Sequence, residues 1–192
     1  MIFVSLHPFV FKRIFAFAAA TICLSLVSCF ASSSIFVPVQ SSPYDRQMTR
    51  ILPALLAKSS TGQELSLSLV NSWMGDLRGI PYHYDPEWKT PDEVQSNQAA
   101  DCKGKAVALY QRMQRNGARN VRLVIGKRTP TSRLTHAWLI WESNGDTFVL
   151  DPTFNWMACR PEQLGERSYL ALYAYSGEKK FRALSSELYA QN

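Results

Sequence analysis

The chain predicts an α+β fold, with helices first and an antiparallel sheet after them. Three observations carry the prediction. Between Tyr44 and Asn116, apolar residues recur at three- and four-residue spacing. From Val121 onward they alternate or run as β-branched stretches, and Asn144-Gly145 between two such stretches is a strong hairpin signal. Helices gathered in one half and strands in the other argue for α+β over an alternating α/β sheet.

The first element is not expected to belong to the fold. Lys12-Arg13 form a short basic region, and Ile14 to Val27 carries no charge. At about 14 residues the run fits a signal-peptide core and is short of the roughly 20 that a spanning helix needs. Leu26-Val27-Ser28-Cys29 resembles a bacterial lipobox, in which the cysteine is acylated and becomes the new N-terminus; the alternative is cleavage after Ala31. Both readings predict export, with Cys29 as the expected lipid anchor. Three segments follow: a signal peptide over 1–29, a Ser-rich tether with Pro38 over 30–43, and one folded domain over 44–192.

The domain is long enough, and at 46% hydrophobic rich enough in aromatic side chains, for a real core. Losing Lys12 and Arg13 leaves 19 basic against 15 acidic residues, so the formal charge falls from +6 to +4. Only Lys127-Arg128 and Lys179-Lys180 are adjacent basic pairs in the domain, and no basic stripe is interleaved with aromatics. A nucleic-acid partner is not indicated.

Tyr44 to Lys58 has helical character interrupted by Pro53. Gly62 to Leu77 reads as a stronger helix, with Leu65, Leu69, Trp73 and Leu77 on one face and Gly79 ending it. Ile80 to Trp88 is extended and aromatic. Thr90-Pro91-Asp92-Glu93 has the N-cap, proline and acids of a helix start. The next helix opens at Cys102 and closes at Asn116-Gly117, with Ala106, Leu109, Tyr110 and Met113 as its buried stripe. Strands are expected over Val121–Gly126, Thr135–Glu142 and Thr147–Leu150, with further ones over Tyr169–Tyr175 and Lys180–Leu184.

The chemistry centres on Cys102. Unpaired N–H groups and the positive end of the dipole in the first helical turn favour a thiolate, which is the nucleophilic form. Cys23 and Cys29 leave the folded domain, so only Cys159 remains beside Cys102. A Cys102–Cys159 disulfide is the competing structural reading in an oxidising compartment. With no CxxC, HxxxH or Cys/His cluster, no metal site is expected.

A base and an orienting acid come from the hairpin. If Asn144-Gly145 are its central residues, Ser143 faces Asp146 and Trp138 faces Asp151. His136 then shares a face with Trp138 and lies diagonal to Asp151, within reach of a side-chain hydrogen bond. Nucleophile, base and orienter together make the Cys102, His136, Asp151 triad. Of the other histidines, His7 is in the leader, and His83 has no acid placed to orient it. The Cys102 N–H can supply one oxyanion donor; Tyr84, Trp88 and Gln98 are candidates for a second, or for the cleft wall.

Three motifs carry a family resemblance: Asp101-Cys102-Lys103-Gly104-Lys105-Ala106, Thr135-His136-Ala137-Trp138 and Leu150-Asp151-Pro152-Thr153. In this order they resemble the motifs of the transglutaminase-like superfamily. The resemblance is closer to its bacterial cysteine-proteinase branch, whose Trp-x-Thr-Pro-x-Glu segment is matched by Trp88 to Glu93. It covers about residues 60–176. It implies a papain-like core and thiol acyl transfer on a protein or peptide substrate; no cofactor is expected for this chain. In members that need calcium, acids follow the nucleophile; Lys103 and Gly104 stand there in this chain, so calcium dependence is not carried over. The leading expectation is an exported, lipid-anchored cysteine peptidase or amidase. Its alternatives are a transglutaminase and an inactive peptide-binding domain.

Overall fold

Helix α4 (Cys102–Arg115) is the centre of the main core, and its sequence explains why. Ala106, Leu109, Tyr110 and Met113 recur at helical spacing and are buried, as expected, against strands β2 (Val121–Lys127) and β3 (His136–Ser143). Helices α1 (Asp45–Leu55), α2 (Leu67–Gly79) and α3 (Pro91–Asn97) pack around its other sides. The computed structural model describes residues 35–58, 65–165 and 168–184. The expected signal peptide, Cys29 and tether residues 30–34 lie outside them. No helix among the described residues is long and apolar enough to cross a membrane.

The sheet is wholly antiparallel, in the order β1-β6-β5-β2-β3-β4. The remaining strands are β1 (Ile35–Pro38), β4 (Asp146–Leu150), β5 (Leu170–Ser176) and β6 (Lys179–Leu184). The helices cover one face. On the other, Val124, Trp138, Val149, Ala171, Ala174 and Ala183 form a smaller cluster with Phe36, Tyr169 and Phe181. Helices followed by an antiparallel sheet is the α+β class the periodicities predict.

The hairpin register agrees with expectation: Ser143 pairs with Asp146 and Leu139 with Leu150. Asn144 and Gly145 both have positive φ, 53° and 83°, as a two-residue turn of this kind requires. Thr90 caps α3 in a full capping box with Glu93, and Pro91 occupies the first turn.

Two segments differ from expectation. The tether assigned to 30–43 is not wholly a tether, because Ile35–Pro38 pairs with β6 as an edge strand. Its Pro38 is tolerated at an edge, where a missing N–H breaks no second ladder. In α2 the helix begins at Leu67, capped by the Ser66 side chain accepting from the Leu69 N–H. The buried stripe is Val70, Trp73, Met74 and Leu77, while Leu69 is exposed. Val70 and Met74 complete the inward face at three- and four-residue spacing from Trp73 and Leu77, which strict four-residue counting from Leu65 misses.

Candidate active site

The site assembles where the start of α4 meets the start of β3 and the turn after β4. Asp101 makes the helix start rigid. As N-cap, its buried carboxylate accepts from the Gly104 N–H through Oδ1 at 3.1 Å. Cys102 therefore occupies the first helical position, where its own N–H has no intrahelical partner. One turn on, Lys105 is almost fully buried. Its ammonium donates to the carbonyls of Ile80 (2.6 Å) and Arg78 (3.4 Å) at the end of α2, and burial lowers its pKa. Those carbonyls belong to a helix C-terminus, which favours a cation.

His136 begins β3 and is 8% exposed; Asp151 follows β4 and is 0% exposed. The His136 Nε2 lies 2.8 Å from Asp151 Oδ2. Asp151 is held from every side. Its Oδ2 also accepts from the Tyr169 hydroxyl at 2.8 Å, and its Oδ1 accepts from the N–H groups of Thr153 (2.9 Å) and Phe154 (3.3 Å). Burial pushes the Asp151 pKa up, but the His136 hydrogen bond and charge, with the other donors, outweigh it and hold the carboxyl below its ordinary value. Burial likewise opposes the charged form of His136. The hydrogen bonds to Asp151 and to Cys102 overcome it and raise His136 from 6.5 to about 9. The imidazole thus has Asp151 on Nε2 and the thiol as a further neighbour. Trp138 stacks on its ring at 6.0 Å between centroids, and Phe154 packs on it at 5.3 Å.

Cys102, His136 and Asp151 therefore come together, and sequence reasoning named all three. The other candidates are distributed differently. Trp88 is buried in the hydrophobic cluster that includes Cys102. Tyr84 is exposed, with the Lys103 ammonium 5.0 Å from its ring centroid. Gln98 is an exposed α3 cap in the left-handed region and makes no hydrogen bond among the described residues. The backbone turn that links α3 to Asp101 points this side chain to solvent. Cys159 is a free thiol, as is Cys102, so the disulfide reading does not hold.

Tyr169 and Lys105 were missed by sequence reasoning. Tyr169 has a φ of 57° and reaches Asp151 from the residue just before β5, an approach with no local sequence signal; burial, then the Asp151 charge, raise its pKa. Lys105 sits beside Cys102 in a motif already singled out. A lysine in a buried helical stripe is the signal that was available. No group of three or more His, Cys, Asp or Glu side chains able to hold a metal occurs among the described residues.

No protein-family model and no curated protein matches the chain at the sequence level. Solved structures match it at the level of the fold. Legionella pneumophila LapG matches with a TM-score of 0.54 at 14% identity, over 79% of this chain and 86% of that one. Its EGTA-treated form matches at 0.53 with 14% identity, over 77% and 85%. A calcium-bound form matches at 0.52 with 15% identity, over 76% and 85%. The chain therefore shares the fold of LapG, an α+β architecture of helices packed on an antiparallel sheet.

Proposed function

We propose that the chain is a thiol-dependent acyl-transfer enzyme acting on a protein or peptide, most simply a cysteine peptidase or amidase. The observation that carries the proposal is the His136–Asp151 pair, buried and hydrogen-bonded on every carboxylate oxygen, beside a cysteine at a helix start. In this reading Cys102 is the nucleophile, His136 the acid and base, and Asp151 the group that orients the ring and stabilises the imidazolium.

The Cys102 thiolate attacks a substrate carbonyl carbon, and the C=O electron pair moves onto oxygen. The Cys102 N–H is available to that oxyanion. Collapse expels the amine, which takes its proton from the His136 imidazolium, and leaves a thioester on Cys102. Water then loses a proton to neutral His136 as it attacks the thioester, releasing the carboxylic acid and restoring the thiolate–imidazolium pair. A lysine amine resolving the same thioester would make the enzyme a transglutaminase; the first half-reaction is common to both. The Cys29 anchor, read from the sequence, would hold this chemistry outside the cytoplasmic membrane.

One LapG structure is calcium-bound. The residues around Cys102 here do not fit such an ion, because an ammonium already lies among the oxygen atoms of Asp85 and Asp101. No step of the reaction is routed through calcium.

The test is covalent labelling by a peptidyl fluoromethyl ketone, comparing wild type with Cys102→Ala and His136→Ala. Wild type is expected to be labelled once, at Cys102, and both variants to be silent. Labelling that persists in Cys102→Ala removes the assignment.

A further inference from the structure

Pro81 to Asp85 run as a wall beside the start of the helix that carries Cys102. This segment is joined to the residue before the N-cap by a short parallel bridge. The Ala100 N–H donates to the Pro81 carbonyl at 3.1 Å, and the His83 N–H to the Ala100 carbonyl at 3.3 Å. Tyr82 and Tyr84 stand exposed on the wall. Two backbone bonds form the tie between this segment and the residue before the N-cap.

Lys103 completes it. Its ammonium donates to the Asp85 carbonyl at 2.8 Å and to the Asp101 carboxylate, and lies 5.0 Å from the Tyr84 ring centroid. The Lys103 side chain is mostly buried. Asp101 holds the helix start through Oδ1 and meets Lys103 through Oδ2, which the Asp85 N–H also approaches at 3.4 Å. Lys89 pairs with the Asp85 carboxylate at 3.6 Å from the other side. Asp101 Oδ2, the Asp85 carbonyl and Asp85 Oδ2 thus each face an ammonium, while Asp101 Oδ1 is taken by the Gly104 N–H.

Taking the proposed peptidase function as its basis, we propose that Lys103 is a positioning residue. It is a cation built into the chain that clamps the Tyr82–Asp85 wall to the start of the nucleophile's helix and makes a divalent ion unnecessary there. The lysine does not contact the reacting atoms. It acts through Asp101 and the wall, and its loss leaves a buried Asp101 oxygen without its counter-charge.

The experiment compares labelling of wild type, Lys103→Ala and Lys103→Met by iodoacetamide and by a peptidyl fluoromethyl ketone. Each is run with EGTA, with calcium and with methylammonium. Wild type is expected to label equally under all three conditions. Lys103→Ala is expected to react with the peptidyl probe on the order of tenfold more slowly, the scale of a small misplacement of the cleft. Either added cation, entering the space the lysine leaves, is expected to restore much of that rate. Lys103→Met fills the space without charge and is expected to stay slow. Wild type that needs calcium overturns the proposal. So does Lys103→Ala that reacts at the wild-type rate, or one slowed in a way neither cation restores. Iodoacetamide labelling of wild type keeps the two ideas apart: if it fails at Cys102, the peptidase reading falls, not the clamp alone.

Discussion

At the scale of the residue, the pH behaviour of the site is set by His136. Its pKa is raised from 6.5 to about 9 against the effect of burial, mainly by Asp151 and then by Cys102. A histidine whose folded value is raised contributes stability that is complete below its unfolded value and lost as pH rises through the folded one. In the proposed mechanism the same proton is the one given to the leaving amine. The alkaline limb of kcat/KM should therefore lie near pH 9, and the protein should lose stability over the window from about 6.5 to 9. Asp151→Asn removes the largest raising interaction, so its alkaline limb should move toward 6.5, with a fall in rate on the order of 10²-fold or more as the ring loses its orienter. Rates of a peptide substrate and urea midpoints, each measured from pH 5 to 10, check both statements. A limb that stays near 9 in the variant would contradict the assigned role of Asp151. These three side chains were legible because each lies in a short motif and because the hairpin turn fixes the register between two of them. Tyr169 was not, since its place beside Asp151 depends on β5 pairing with β2 from more than forty residues away.

At the scale of the element, the site depends on how closely β2, β3 and β5 approach one another. The β2–β5 register shifts between Ile125 and Gly126, and Gly126 pairs with His136 on its other side. A Cβ at Gly126 would lie 2.1 Å from the Leu170 carbonyl oxygen and 2.6 Å from the Trp138 ring, the ring that stacks on His136. Backbone cannot yield as a side chain tip can, so the glycine is required by contact rather than by dihedral angle. Gly126→Ala should cost about 3 kcal/mol in urea unfolding, at the upper end for overpacking, and should slow Cys102 labelling by displacing His136. Gly75→Ala in α2 is the control. A Cβ there meets nothing within 4 Å, and the variant should be neutral or up to about 1 kcal/mol more stable. The elements themselves were largely readable, since capping at Thr90, the turn at Asn144-Gly145 and the α4 stripe are local. The start of α2 and the bulge at Gly126 were not, because the first depends on one serine side chain and the second on a partner strand.

At the scale of the whole molecule, the sheet divides into a side that carries the proposed site and a supporting side. His136 lies on β3 and Cys102 on the helix above β2 and β3, while β1 is the opposite edge, separated from β2 by β6 and β5. Ile35–Pro38 carries the signals of a tether, since Ser-rich composition and a proline precede the domain; four apolar residues are too few to announce a strand without the edge they join. In the fold those residues close the β6 edge, and half-buried Phe36 packs onto the second cluster with its ring 5.5 Å from the Arg122 guanidinium. A chain beginning at Gln40 should therefore be weaker by about 1–3 kcal/mol, from lost ladder bonds and the uncovered apolar surface. On a domain of this size that lowers the melting temperature by several degrees. The exposed β6 edge should also promote association at high concentration. Because no residue of β1 touches the site, the folded fraction of this truncated chain should label Cys102 at the wild-type rate. Thermal unfolding followed by circular dichroism, with labelling at 20 °C below the midpoint, separates the two effects. A large loss of labelling in the folded, truncated chain would mean that the supporting side of the sheet governs the geometry of the side that carries the proposed site.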